Sequence, residues 1–236
     1  MPPACDPFGV PRLRGLGPPE GGTPNGSIIL WTGPKHSGKT SSADRLVQAA
    51  RGRGFIVAGC LAPSLYADGV LLGFDLVNLR SGARAPLARR SIGPQQDRSF
   101  HFLADGLSLG NEALGPPATE DADLILVDEY GPWELKSQLW RHATDRLVTG
   151  NAALRSGCFQ KANRDRAPKP DISGLGTPIG GPGAVLLLVV REELVDEVLQ
   201  LYAGPTTRKL AALAPESVAE VLTLLENRRR SSSRPE

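Results

Sequence analysis

The sequence predicts an α/β fold: a mostly parallel sheet with helices on both faces. Three observations carry that expectation. The apolar run "SIILW" leads through a glycine-rich loop into a stretch with Ala43, Leu46, Val47 and Ala50 at i, i+3, i+4 and i+7, the period of an amphipathic helix. The run "LILV" before Asp128 and Glu129 is continuously apolar, as in a strand buried on both faces. The run "AVLLLVV" ends at Arg191 and is followed by Leu194, Val195, Val198 and Leu199 on one helical face. Strands that alternate with helices pack as a parallel sheet covered on two sides.

Composition sets the bounds. The 236 residues suit one α/β domain, and Lys+Arg of 27 against Asp+Glu of 25 leaves a net charge of +2, too close to balance to imply a nucleic-acid surface. Cys5, Cys60 and Cys158 have neither disulfide-framework nor zinc-site spacing, which suits a reducing cytoplasm. No stretch reaches the roughly 18 apolar residues that would span a bilayer, so membrane insertion is not expected. Residues 1–26 are rich in Pro and Gly and are expected to form a disordered leader, followed by a single domain over 27–227 and a disordered tail over 228–236.

Each element follows from its pattern. After the first helix ends at Gly52 and Gly54, "FIVAGCLA" is expected as a second strand, completing a βαβ unit. The segment "GVLLGFDLVNLRSGARAPLA" is expected as an extended ribbon turning at Ser81-Gly82. "FHFLADGLSLGNEAL" suggests a short strand and a helical turn or two, closed by Pro116-Pro117. Leu135, Leu139, Ala143 and Leu147 recur every fourth residue, which predicts one helix from Glu134 to about Leu154, with Pro132 at its entrance. Residues 155–183 lose all period and are dense in Gly, Pro and charge, so a flexible insertion is expected, a place where a protein partner could bind. A short strand around Leu210–Leu213 and a helix with Val218, Val221, Leu222 and Leu225 on one face complete the chain.

The chemistry concentrates in "GPKHSGKTS". The spacing of Gly33, Gly38, Lys39 and Thr40 lets the backbone curl so that successive N–H groups face phosphate oxygens, with a helix N-terminus behind them. Gly33, Pro34, Lys35, His36, Ser37, Gly38, Lys39, Thr40 and Ser41 are the candidate nucleotide-binding residues. Lys39 reaches the β- and γ-phosphates as a point charge, and the Thr40 hydroxyl is a magnesium ligand. Asp128 is the second candidate Mg2+ ligand, and Glu129 beside it is the candidate that polarises an attacking water. For Glu129 the alternative is a helix-entrance carboxylate, a role Glu134 can take instead. Arg191, at the end of a parallel strand, is the candidate cation for transition-state charge, or else a solvated helix-start arginine; Arg89 and Arg90 are weaker candidates on the ribbon.

Four segments together resemble one family. "GPKHSGKT", "GFDLVNLRSGARAPLAR", "LILVDEYGPWELKS" and "VLLLVVREELVDEV" are similar, in sequence and order, to the nucleoside-triphosphatases first described from thermophiles, which include the cancer-related nucleoside-triphosphatase of animals. The ribbon and the "DEYGPWEL" turn are the family-specific parts. The resemblance implies a RecA-like P-loop core with a β-ribbon insertion and Mg2+-dependent hydrolysis of ATP, GTP, CTP or UTP to diphosphate and phosphate with loose base choice. Two departures stand out: "LAPSLYADG" replaces the usual threonine with acidic neighbours after the second strand, and residues 155–183 intervene before the last core strand.

Other candidates carry less. His36, His101 and His142 share no metal-ligand spacing, Cys60 reads as a buried thiol, and Trp133 and Trp140 as packing residues, with Trp133 also a candidate neighbour of a base pocket. The competing functional classes are a P-loop kinase, for which Arg164 and Arg166 would make a poor lid, and a nucleotide-binding switch module of low turnover.

Overall fold

The structure, a computed structural model, describes residues 27–91, 100–150, 184–204 and 206–232. The expected leader over 1–26, the insertion over 155–183 with Arg164 and Arg166, and the last residues of the expected tail lie outside the described residues. Strand β1 (Ser27–Gly33) runs through the phosphate-loop sequence into helix α1 (Lys39–Gly52) and returns as β2 (Val57–Leu61). Strands β3 (Ser64–Ala67), β4 (Val70–Asn78), β5 (Arg84–Arg90) and β6 (Phe100–Phe102) follow, then helices α2 (Ala104–Ala113) and α3 (Pro116–Thr119). The second half contains β7 (Leu124–Tyr130), α4 (Pro132–Leu135), α5 (Arg141–Gly150), β8 (Val185–Arg191), α6 (Val195–Tyr202), β9 (Thr207–Ala211) and α7 (Pro215–Ser232).

Among the described residues the strands form one sheet in the order β6-β5-β4-β2-β7-β8-β1-β9, with β3 paired to β4. Strands β2, β7, β8, β1 and β9 are parallel, and the pairings of β3 to β6 are antiparallel. The ribbon therefore extends the sheet from β2, through Cys60↔Asn78 and Leu61↔Val77. Gly82 has φ +76 at its turn, the left-handed conformation that glycine adopts without steric cost.

Period-two alternation in β1 sends side chains to two cores. Ile29 and Trp31 pack with Ala43, Leu46, Val47 and Ala50 of α1 and Val221, Leu222 and Leu225 of α7. Leu30 packs on the other face with Leu186, Leu188 and Val190 of β8 and Val195 and Val198 of α6. Central strands covered on both sides have no polar face, which is why "LILV" and "AVLLLVV" are apolar throughout. No helix among the described residues is long and apolar enough to cross a membrane.

Several boundaries differ from the sequence reading. The helix expected from Glu134 is two helices, α4 and α5, separated by a turn in which Ser137 (φ 60) and Leu139 (φ 46) are left-handed. Leu135, Leu139, Ala143 and Leu147 do face one core, but only because the chain kinks between them. The kink seats the buried Trp140 indole against the backbone of α2 at Gly110, where a Cβ would collide with the ring. Helix α2 ends at Ala113, before the Pro116-Pro117 pair as expected, and Pro116 also opens the short helix α3. Strand β9 lies earlier than Leu210–Leu213, because Thr207–Ala211 is the stretch that pairs with Ile28–Thr32. Residues 228–232 are helical, not a disordered tail: Arg228 donates to Ser27 Oγ at 2.8 Å, and the Arg229 guanidinium lies 4.2 Å from the Phe55 ring centroid.

Helix propensity alone makes Gly110→Ala favourable by about 1 kcal/mol, whereas overpacking against Trp140 costs about 1–3 kcal/mol. Net destabilisation is expected in urea unfolding, and a more stable variant would show that the indole seat does not constrain α2.

Candidate nucleotide site

The site is built where β1 stops. Gly33 ends the strand because a Cβ there would lie 3.2 Å from Ser37 Oγ and 3.5 Å from Lys39 Cγ, inside the curl of the loop. His36 (φ 60) and Gly38 (φ 90) supply the left-handed residues that turn the backbone inward. Helix α1 then starts at Lys39 with neither a side-chain cap nor an acidic residue in its first turn. Its leading N–H groups are left for an anion. Ser37 Oγ is also buried without a hydrogen-bond partner among the described residues, an orphaned polar atom inside the same curl. Lys39 is only 7% exposed, and its Nζ donates to Pro34 O at 2.7 Å across the loop. Burial lowers its pKa, with the Glu129 charge opposing and the Arg191 charge adding.

The acidic residues arrive from β7, two strands from β1. Asp128 is fully buried: its Oδ2 accepts from Ala62 N at 3.0 Å, its Oδ1 from Glu129 N at 2.9 Å, and the Thr40 side chain completes the set. Burial raises its pKa well above the usual carboxylate range, the Glu129 charge adds to this, and the three hydrogen bonds oppose it. The Thr40 contact joins the first turn of the loop helix to the end of β7, so hydroxyl and carboxylate oxygens stand together. Hard oxygen donors of this kind suit Mg2+, which commonly takes one or two carboxylates and completes its octahedron with phosphate and water.

Glu129 sits in a register shift between Val127 and Tyr130 with φ 56. A non-glycine residue in this region carries strain, and here the strain turns the side chain out of the ladder at the strand end. Its Oε2 is 3.7 Å from Arg191 Nη2, and Arg191 is the register partner of Gly33. Lys39, Thr40, Asp128, Glu129 and Arg191 thus come together at the C-terminal edge of three adjacent strands. Arg89 does not join them: it pairs with Asp75 at 2.6 Å and donates to Phe74 O, on a strand beyond β4 and β2. Arg90, on the same strand, is equally remote. Lys35 and His36 are exposed on the loop, Ser41 is exposed in the first turn of α1, and His101 and His142 are exposed elsewhere.

Against this geometry, the sequence matches the family described as NTPase over residues 28–156, more than half of the chain. The chain belongs to this NTPase family. It is 33% identical over 149 residues to the nucleoside-triphosphatase THEP1 of Methanothermobacter thermautotrophicus, covering 61% of this chain and 83% of that protein. It is 37% identical over 124 residues to the THEP1 of Ignicoccus hospitalis, covering 52% and 70%. Its fold is similar to the solution structure of a human cancer-related nucleoside triphosphatase (TM-score 0.51, 20% identity, 89% of this chain and all of that one). It is also similar to the crystal structure of THEP1 from Aquifex aeolicus (TM-score 0.52, 16% identity, 85% and 99%). The RecA-like, mostly parallel core expected of an NTPase of this family is the fold observed.

Several supports of the site have no signal in the sequence. The Ala62 N–H that holds Asp128 comes from the residue just after β2, 66 positions earlier in the chain. Behind Glu129, Tyr130 OH meets Tyr202 OH at 2.8 Å, and Tyr202 donates to Asp145 Oδ1 at 2.7 Å, which Arg141 Nε contacts at 2.8 Å. Burial pushes Tyr130 up to about 12, so it stays protonated as a donor. Trp140 is a packing residue as expected, but Trp133 is 48% exposed and touches Phe102 edge-on at 5.4 Å. Cys60 is buried beneath the site, its thiol pushed up to about 12 by burial and then by Asp128, which leaves it unreactive.

Glu134 takes the helix-entrance role, accepting Gly131 N–H at 2.9 Å, and burial pushes it up to about 7 against that hydrogen bond. A carboxyl raised on folding stabilises fully below its unfolded pKa near ~4.3 and loses that contribution as pH rises through the folded value. Relative to Glu134→Gln, which does not titrate, the wild type should lose up to about 3 kcal/mol between about pH 5 and about pH 8. Thermal or denaturant unfolding of both proteins across that range checks it; a difference independent of pH would contradict it.

Proposed function

We propose that this chain hydrolyses nucleoside triphosphates to diphosphate and phosphate, with Mg2+ and with broad tolerance of the base. The observation that carries the reading is the contact of Thr40 with Asp128, which joins phosphate loop and acidic strand end in one site. The names of the THEP1 relatives support the same activity.

In this reading the loop amides and the Lys39 ammonium bind the β- and γ-phosphates, Lys39 leaving its Pro34 carbonyl to do so. Thr40 and Asp128 would hold Mg2+, whose charge offsets that of the phosphate oxygens. Glu129, turned out of the ladder and partly exposed, orients a water molecule and accepts its proton as the water oxygen bonds to the γ-phosphorus. The bond to the β–γ bridging oxygen breaks, and nucleoside diphosphate leaves with that oxygen. Arg191, already beside Glu129, faces the charge that develops on the γ-phosphoryl oxygens. A carboxylate placed for water favours hydrolysis over transfer to an alcohol acceptor. The buried, unreactive Cys60 suits the reducing cytoplasm we infer as its compartment.

Glu129→Gln is expected to lower turnover by about 10²–10⁴-fold while leaving Mg-ATP binding in place, and Lys39→Ala is expected to lose both. Phosphate release from ATP, GTP, CTP and UTP, beside calorimetric binding, measures this. Turnover of Glu129→Gln equal to wild type would remove Glu129 from the chemistry.

A further inference from the structure

We propose that a cavity between the phosphate loop and the β9–α7 turn is the nucleoside subsite, with Leu213 as the apolar platform under the base. The inference rests on the phosphate-loop reading and extends it to the other end of the substrate.

Direction comes from the order of strand ends. Along the C-terminal edge of the sheet stand β7 with Asp128 and Glu129, then β8 with Arg191, then β1 with the loop, then β9. The reacting phosphate belongs at the β7–β8 end, beside Glu129 and Arg191, so a chain of phosphates lying across the loop points its nucleoside toward β9. A cavity of about 390 Å³ lies there, lined by Gly33 and Pro34 of the loop, Glu192 after β8, and Lys209 and Leu213 from β9 and its turn. Its volume falls within the roughly 300–1,000 Å³ typical of small-molecule sites.

The wall of this cavity is fixed to the phosphate loop by hydrogen bonds. Ala212 N donates to Thr32 O at 2.7 Å, the Ser42 hydroxyl of α1 donates to Ala212 O, and Ser217 Oγ donates to Ala211 O at 2.7 Å. On this pinned turn Ala212 is buried, whereas Leu213 is 49% exposed. An apolar side chain held in the open beside a phosphate cradle gains contact with the face of any base, purine or pyrimidine. The polar groups near it, Lys209 and Glu192, are long and exposed. They impose no fixed donor–acceptor pattern. The one buried polar side chain in the wall, Thr32, already donates its hydroxyl hydrogen to Leu210 O at 3.2 Å, and a site with no uncommitted buried side-chain donor discriminates weakly, because no wrong base leaves such a group unpaired. Loose base choice follows from the chemistry of this wall.

Calorimetry of the full chain with Mg2+ and the β,γ-imido analogues of ATP, GTP, CTP and UTP tests the subsite, with inorganic tripolyphosphate as the ligand that lacks a nucleoside. Leu213→Asp, a change at an exposed position, should weaken all four analogues about tenfold and leave tripolyphosphate within about twofold. Leu213→Trp should tighten the analogues without tightening tripolyphosphate. Analogues unaffected by both variants, equal losses for analogues and tripolyphosphate, or wild-type binding of tripolyphosphate as tight as of the analogues would overturn the subsite. Wild-type protein that binds none of these ligands would instead overturn the phosphate-loop reading itself.

Discussion

The site depends on one buried carboxylate. Asp128 is shut away from water at the end of β7, yet it is held from three directions: by Ala62 N–H from the end of β2, by Glu129 N–H from its own strand, and by the Thr40 side chain from the loop helix. A carboxylate buried in this way is costly unless its lone pairs are filled. Filling them ties together segments that are far apart in sequence. The loop helix therefore cannot drift from β7 without exposing or stranding an acid, and the distance between phosphate cradle and acidic edge is fixed by that constraint.

Strand order gives the site a direction. Inserting β8 between β1 and β7 places Arg191 next to Gly33 on one side and within 3.7 Å of Glu129 on the other. The edge then reads from acid, through cation, to cradle, and ends at the turn after β9. In the function proposed above, this polarity gives one end of the substrate the chemistry and the other a surface that need not distinguish bases. The antiparallel half, β3 to β6, stands on the far side of β2 and contributes none of these groups.

The parallel core was legible in the sequence because burial on two faces forces long apolar runs, and because the glycine pattern is a backbone requirement at fixed spacing. That Lys39, Thr40, Asp128, Glu129 and Arg191 stand at one edge of the sheet was readable for the same reason: each lies at the end of an apolar strand or just past the glycine loop that follows one. Contacts between distant segments were not. Nothing local marks Ala62, Tyr202 or Leu213, whose roles arise only when β2, α6 and the β9 turn are brought to the same edge. The break between α4 and α5 was missed because a four-residue repeat records which side chains reach the core and not how the backbone gets them there. There the seat of Trp140 on Gly110 overrides the helical period. Strand β3 is short and wholly exposed, so it has no hydrophobic pattern to read.

A crystal structure with Mg2+ and the β,γ-imido analogue of ATP tests the central claim most directly. The account predicts that Lys39 Nζ exchanges the Pro34 carbonyl for phosphate oxygens, that Thr40 and Asp128 share the metal's coordination, and that the terminal phosphate lies between Glu129 and Arg191. A triphosphate bound with Lys39 still on Pro34, or with its terminal phosphate turned toward β9, would contradict it.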